Sequence, residues 1–117
     1  MLTLGLTGRI WVCTAPQDGR KSFDGLQAVV TAHLGKDPLS GDLYVFRNKR
    51  GDRLKILAWQ GDGFAFYVRR LEKGTFRFPA AGAVEVAITA TELAMILGGI
   101  DLGSAQRRPR YERSAAG

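Results

Sequence analysis

Cysteine and histidine are almost absent from this chain, which has one of each in 117 residues. Because a structural zinc site takes about four such ligands, Cys13 and His33 cannot assemble one. A lone cysteine also cannot form an internal disulfide, a composition typical of the reducing cytoplasm. We interpret Cys13, which lies in an apolar stretch, as a buried small side chain rather than a nucleophile, and we expect no cofactor.

Long apolar runs are missing as well. No stretch approaches the roughly 18 residues that cross a bilayer, so we expect no membrane contact. Residues 1–9 lack a basic region followed by an apolar segment, and we therefore predict a cytoplasmic protein without a secretion signal. The glycines form neither a Walker loop nor a Rossmann fingerprint, since residues 61–63 are a short Gly-Asp-Gly turn between predicted strands.

Carboxylates that might hold catalytic metal ions are few and scattered. Each has neighbours such as Gly, Pro, Lys or Ser, which are typical of turns and helix caps. Metal-dependent hydrolysis needs carboxylates that converge on one or two ions. We therefore interpret five aspartates as turn or cap residues and predict a non-enzymatic protein: Asp18, Asp24, Asp37, Asp42 and Asp52.

Positive charge is what the sequence has in excess, with a net charge of +6 and a pI near 10.0. Residues 1–42 contain four basic and four acidic residues, so the excess lies in the rest of the chain. Residues 44–57 alone contain five basic residues and one acidic residue, a net +4. This distribution favours a polyanionic partner over a merely solvated surface.

The apolar pattern predicts an α+β fold with an antiparallel sheet of five or six strands arranged as a meander. The short connections between successive strands favour antiparallel pairing, because parallel pairing needs long crossovers. The strands are expected at residues 10–13, 43–46, 54–59, 64–71, 76–78 and 82–88. Four aromatic residues are expected in the core: Trp11, Phe23, Phe46 and Trp59.

Two helices complete the predicted domain. Ser22 is placed to cap a main helix that ends at Gly35. Thr89 and Glu92 have the spacing of a capping box for a short C-terminal helix that ends at residues 98–99. We expect a single domain over residues 1–102 and a flexible basic tail over 103–117.

A basic hairpin is the strongest candidate for the binding site. A short polar segment with Asn48 and Gly51 forms the expected turn between the strands at residues 43–46 and 54–59, and it is rich in cations. Basic residues just before a helix are a second candidate, because backbone N–H groups there favour an anion. The predicted nucleic-acid contacts are Arg47, Lys49, Arg50, Arg53 and Lys55 of the hairpin, with Arg20 and Lys21 before the helix.

Several ordered motifs also resemble one protein family. Residues 18–26 (DGRKSFDGL) are similar to its D-M-R-K-G-F-D-G-L block, with Gly19 and Ser22 as departures. The later motifs follow in order at residues 37–41 (DPLSG), 45–55 (VFRNKRGDRLK), 59–64 (WQGDGF) and 70–74 (RLEKG), with Gln60 where Asp is common. The chain thus resembles, over residues 9–102, the small TnpB-type accessory proteins of the insertion-sequence family numbered sixty-six. These are unrelated to the RNA-guided nuclease of the same name.

The resemblance implies a protein encoded beside a separate transposase and needed alongside it for efficient transposition, and it brings no catalytic residues to this chain. Combined with the basic hairpin, it leads us to expect DNA binding, at or near the element's ends. Two alternatives remain open at this point: a protein–protein adaptor that contacts the transposase, and a small RNA-binding regulator of the element. A preference for single-stranded RNA together with exposed aromatic residues would favour the RNA-binding alternative.

Overall fold

A computed structural model describes residues 8–79 and 83–99, which form an α+β fold of five strands and two helices. The predicted central hairpins are present as β2 (Leu43–Arg47), β3 (Arg53–Trp59) and β4 (Phe64–Arg70), paired antiparallel in chain order. Their connecting turns of five and four residues favour antiparallel pairing of successive strands. The predicted tail over residues 103–117 lies outside the described residues.

The sheet is mixed, so the prediction of an antiparallel meander holds only for its central strands. β1 (Ile10–Cys13) pairs parallel to β2, and α1 (Phe23–Ala32) lies in the connection between them. A connection of this length with a helix is the crossover that parallel neighbours require. β5 (Glu85–Ile88) then pairs antiparallel with β1, which gives the order β4-β3-β2-β1-β5.

The predicted strand at residues 76–78 is wrong, because this segment has no regular secondary structure. Its apolar alternation instead reflects packing: Phe76 is buried and Phe78 is half-buried against the same core. The Phe76 amide donates to the Gly51 carbonyl at 2.8 Å, which ties the segment to the β2–β3 turn rather than to a strand. Alternating burial in a loop is indistinguishable from a strand in sequence when the segment is this short.

Each face of the sheet carries one helix and one apolar core. Leu26 and Val30 of α1 pack on the face that includes Tyr44, Phe46 and Leu57. On the opposite face, the buried residues of α2 (Ala90–Gly98) are Leu93 and Ile96. They share a core with Val12, Val45 and Ile56. Period-2 alternation along the strands separates these two sets of side chains.

The two helices begin differently. Thr89 and Glu92 form the predicted capping box of α2, and Gly99 ends that helix with φ +82°. Ser22 occupies the predicted N-cap position of α1, but its side chain makes no capping hydrogen bond in the described chain. Phe23, expected in the core, is 40% exposed at the first turn of α1. The first turn of α1 therefore lacks a side-chain cap from Ser22 and carries an exposed ring.

Candidate nucleic-acid interface

The loop before α1 is fixed to the sheet by one lysine. The Lys55 ammonium on β3 donates to the carbonyl oxygens of Gly19 and Lys21, both at 2.6 Å. Burial, and then the nearby Arg53 guanidinium, lower the pKa of Lys55, while Asp18 opposes the shift. Lys55 thus brings the basic loop at residues 19–22 onto the basic strand β3.

Arg20 lies on the outside of this loop. Its guanidinium bonds the Asp18 carboxylate through Nε at 3.1 Å and Nη2 at 2.8 Å. This bonding holds the pKa of Asp18 well below its usual range and raises that of Arg20. Since the Arg20 side chain is 91% exposed, the pair is surrounded by water and contributes little to stability. The guanidinium can exchange this partner for another anion.

A shallow cleft of about 370 Å³ lies between the loop before α1 and strands β3 and β4. We call it the basic cleft. Its described lining has five cationic side chains, no carboxylate, and two apolar side chains of β4. The lining residues that carry the argument below are Arg20, Lys21, Arg53, Lys55, Arg70, Phe66 and Val68.

Two arginines face each other across the strands that floor the cleft. Arg53 is the register partner of Arg70 in the antiparallel β3–β4 pair. Like charges directly opposite each other in such a pair are destabilising. Arg70 has one ion pair, with Glu72 at 3.5 Å, and both side chains of that pair are more than half exposed. A bound anion would offset the repulsion that the sheet register imposes.

Phe66 and Val68 form the apolar side of the cleft, and Phe23 lies next to it through a ring contact with Phe66. The Phe23 ring of α1 lies over Phe66 of β4, with ring centroids 4.8 Å apart and an interplanar angle of 44°. Val68, one step further along the same face of β4, is 49% exposed. Apolar surface and cationic groups therefore occur side by side in the basic cleft.

The turn between β2 and β3 is held by hydrogen bonds of the Asn48 side chain. Asn48 accepts from the Arg53 amide through Oδ1 at 3.1 Å and donates to Asp52 Oδ1 at 2.7 Å. The Asn48 hydrogen bond is the main cause of the lowered pKa of Asp52. Lys49 and Arg50 are exposed on this turn, and a Cβ placed on Gly19 would lie 3.5 Å from Asn48 Cβ. The tip cations line a neighbouring pocket together with Asp18 and Gly19, next to the basic cleft.

Arg47 lies apart from the other predicted residues. It is the register partner of Leu54, so it lies on the α2 face of the sheet. Its guanidinium is 5.2 Å from the Phe78 ring centroid and bonds the Thr14 carbonyl at 3.4 Å. Its buried Nε has no hydrogen-bond partner among the described residues. Of the seven predicted contacts, the structure brings Arg20, Lys21, Arg53 and Lys55 into the cleft, Lys49 and Arg50 beside it, and Arg47 elsewhere.

The sequence did not predict Arg70 and Phe66 of the cleft as site residues, nor Phe23, which contacts Phe66 beside the cleft. Arg70 was counted only as part of the overall positive charge, and Phe23 was assigned to the core. The strand register was the available signal, because pairing residues 53–59 with 64–70 places Arg70 opposite Arg53. The position of Phe23 at the very start of α1 also indicated exposure, since a first-turn residue often lies beyond the packed stripe.

Other chemical groups of the described chain have structural roles. Asp42 accepts from the Trp11 indole at 3.0 Å and from the Arg9 amide at 2.9 Å. Burial raises the pKa of the Cys13 thiol. No group of three or more His, Cys, Asp or Glu side chains is placed to hold a metal ion within residues 8–79 and 83–99. Neither of the two described helices is long and apolar enough to cross a membrane.

Comparisons with known proteins agree with the motif resemblance. The model of a family described as IS66 Orf2 like protein matches residues 8–107 of the chain. This chain belongs to that family. Membership associates it with the transposition of IS66-type insertion sequences and confirms the resemblance noted from the sequence motifs.

Two proteins of Sinorhizobium fredii are similar over most of their length. One, y4jC, is 38% identical over 101 residues, which cover 86% of this chain and 86% of the relative. The other, y4hO, is 37% identical over 101 residues, which cover 86% of this chain and 88% of the relative. Both are described as uncharacterized proteins. No solved structure gives a significant match.

Proposed function

We propose that this protein is a non-enzymatic accessory protein of IS66-type transposition that binds DNA through the basic cleft and assists the separate transposase. The observation that carries the proposal is the cross-strand pair of Arg53 and Arg70, set beside a basic loop in a lining without carboxylates. Phosphate is the anion that matches this arrangement, because guanidinium groups bind it through two parallel hydrogen bonds. DNA at or near the element's ends is the proposed ligand.

Local electrostatics support phosphate binding in the cleft. The Lys55 pKa is lowered by burial and by Arg53, so the cations already repel one another in the free protein. Within the described part of the chain, Lys21 Nζ donates to Gln17 Oε1 at 3.2 Å, and this neutral oxygen does not cancel its charge. A phosphate placed among these groups would be attracted by several charges at once.

A gel-shift series over salt concentration tests the proposal. The variant Arg53→Gln/Arg70→Gln removes two cations of the cleft, and Lys73→Gln/Arg77→Gln is its charge-matched control. Lys73 and Arg77 are exposed on the connection after β4 and do not line the cleft. For duplex DNA the slope of log K against log salt is about −0.9 per phosphate contact. The cleft variant is expected to lose affinity and slope together, whereas the control retains both.

Two outcomes would contradict the proposal. Equal losses in the two double variants would mean that net charge alone, rather than the cleft, governs binding. Absence of DNA binding by the wild-type protein at low salt would remove the proposed activity. Thermal unfolding of each variant shows whether a loss of binding reflects a loss of the fold.

Transposase binding through the sheet edge is a second candidate function. β4 is an edge strand of seven residues, and its outer side has no strand partner in the described sheet. Such an edge can accept a strand from another protein. Co-purification with the transposase after complete nuclease digestion favours this adaptor function. Loss of co-purification on digestion means that the two proteins are held together by a DNA molecule that both bind.

A further inference from the structure

We propose that the ligand of the basic cleft is single-stranded DNA, with one base stacked on Phe23 while the cleft cations contact the flanking phosphates. This inference rests on the proposed function and specifies the form of DNA that the same site binds. It goes beyond phosphate binding because it assigns a role to the apolar side of the cleft.

The apolar side of the cleft includes exposed hydrophobic side chains. Four large hydrophobic side chains of the described chain are strongly exposed, and two of them, Phe23 and Val68, lie beside the cleft. Phe23 contacts Phe66 on one side of its ring, as the centroid distance of 4.8 Å indicates. Its 40% exposure leaves ring surface available to a ligand. A purely phosphate-binding site would gain nothing from this exposed ring.

A duplex and a single strand differ in what they offer such a ring. In a duplex the base faces are covered by their neighbours, so an aromatic side chain outside the grooves meets only sugar and phosphate. In a single strand the bases can turn outward and stack on an aromatic platform beside a cationic groove. The combination of Phe23 with Arg53 and Arg70 therefore matches a single strand better than a duplex.

The geometry also limits the number of stacked bases. Phe23 lies at the first turn of α1, next to the loop at residues 19–22, and Phe66 is the ring directly beneath it. Phe64, the next ring on this face of β4, is engaged edge-on with Trp59 at a centroid distance of 5.0 Å. One base is thus the expected occupant of the platform, with phosphates on the side of the cations.

Fluorescence anisotropy with four labelled probes tests the inference. The probes are an oligothymidylate of about a dozen nucleotides, the same strand with abasic sites, a duplex of equal length, and an oligouridylate. The variants are Phe23→Ala, Phe23→Leu and, as an exposed apolar control, Leu39→Ala. Leu39 is 52% exposed on the turn before β2 and does not line the cleft. Circular dichroism confirms that each variant is folded.

The expected result is that the oligothymidylate binds more tightly than the duplex. Phe23→Ala should weaken oligothymidylate binding about 5- to 150-fold, the range reported for one stacked base. Phe23→Leu should recover only part of this loss, since it restores apolar area but no aromatic face. Binding of the abasic strand should hardly change with any of these variants, and Leu39→Ala should resemble the wild type.

Several results would overturn the inference and leave the proposed function in place. These are tighter binding of the duplex than of the single strand, or equal effects of Phe23→Ala on the abasic and normal strands. Tighter binding of oligouridylate would assign the platform to RNA instead. Failure of the proposed function has a different signature, because then no probe would respond to Arg53→Gln/Arg70→Gln.

Discussion

At the scale of single residues, Lys55 combines a structural role with a place in the cleft. Its ammonium bonds two loop carbonyls, at Gly19 and Lys21, so its charge is partly used to hold the loop. Lysine at this position is therefore expected to matter for folding even without a ligand. Arg53 and Arg70 differ from Lys55 in this respect, because their cross-strand pairing does not stabilise the fold in a comparable way.

Replacing Lys55 tests this structural role directly. Lys55→Met keeps much of the side-chain length but removes both hydrogen bonds, and we expect a loss of about 1–3 kcal/mol in the free energy of unfolding. Urea denaturation at neutral pH measures it. Lys49→Met, at the exposed hairpin tip, is the control and should change stability by less than about 0.5 kcal/mol. Equal stabilities of the two variants would contradict the anchoring role of Lys55.

The lowered pKa of Asp52 predicts how the stability of the protein changes in acid. Its lowered pKa, caused first by the Asn48 hydrogen bond, means that the folded state favours the carboxylate. The resulting stability is present above the unfolded-state pKa near 3.9 and is lost as the pH falls through the lower folded-state pKa. Asp52→Asn should therefore lose less stability than the wild type between pH 6 and pH 2.5. The difference should be on the order of 0.5 kcal/mol, since solvent still screens this half-buried pair.

Chemical denaturation at the two pH values gives this difference. Asp62→Asn is the matched control, because Asp62 is an exposed carboxylate on the neighbouring β3–β4 turn. The control should retain the acid sensitivity of the wild type. If Asp52→Asn retains it as well, the Asn48–Asp52 hydrogen bond does not stabilise the hairpin tip.

At the scale of elements, the N-termini of the two helices differ in their caps and can be compared directly. The Thr89 hydroxyl accepts from the Glu92 amide at 3.1 Å, and the Glu92 carboxylate accepts from the Thr89 amide at 3.0 Å. Ser22 has no equivalent side-chain bond in the described chain. Thr89→Ala should cost about 1 kcal/mol of stability, whereas Ser22→Ala should be close to neutral. Thermal unfolding of both variants measures the contrast, and a cost for Ser22→Ala equal to that of Thr89→Ala would contradict it.

The two positive-φ turns around β3 differ in their surroundings. Gly51 has φ +78°, and a Cβ there would lie 3.2 Å from Thr75 Cβ, whereas at Gly61, φ +95°, it would meet no described atom within 4 Å. Alanine at either position takes on left-handed strain of about 1–2 kcal/mol. Gly51→Ala should cost more, because it also pushes against the segment that carries Phe76. Urea denaturation of the two variants gives the comparison, and a larger loss for Gly61→Ala would contradict it.

The elements also show why the sequence predicted part of the fold and only part of the site. The β2–β3–β4 hairpins and both helices followed from alternation, turn residues and caps, which act over a few positions. The predicted order of strand, helix and strand over residues 10–46 is the pattern of a parallel crossover, but the prediction extended the antiparallel pairing of the later short turns to β1 as well. Arg47 and Lys55 were grouped because both lie in one basic hairpin, yet their register positions put them on opposite faces. Applying the period-2 rule to the charges would have separated them.

At the scale of the whole molecule, salt should affect the free protein and its DNA complex in opposite directions. The chain carries a net charge of +6, so screening relieves self-repulsion and should slightly raise the melting temperature of the free protein. Free DNA at one hundred times its Kd should add about 2.7 kcal/mol to the free energy of unfolding. This corresponds to a rise of roughly 10 °C in the melting temperature. Salt should reduce this increment, because counterions compete for the phosphates.

Thermal scans with and without DNA over a salt series measure both effects in one experiment. The free protein should melt slightly higher as salt rises, while the DNA-induced increment shrinks. Arg53→Gln/Arg70→Gln should begin with a smaller increment, since two phosphate-binding groups of the cleft are gone, and Lys73→Gln/Arg77→Gln should retain most of it. An increment that does not change with salt would mean that the complex depends on apolar contacts rather than on the charges of the basic cleft.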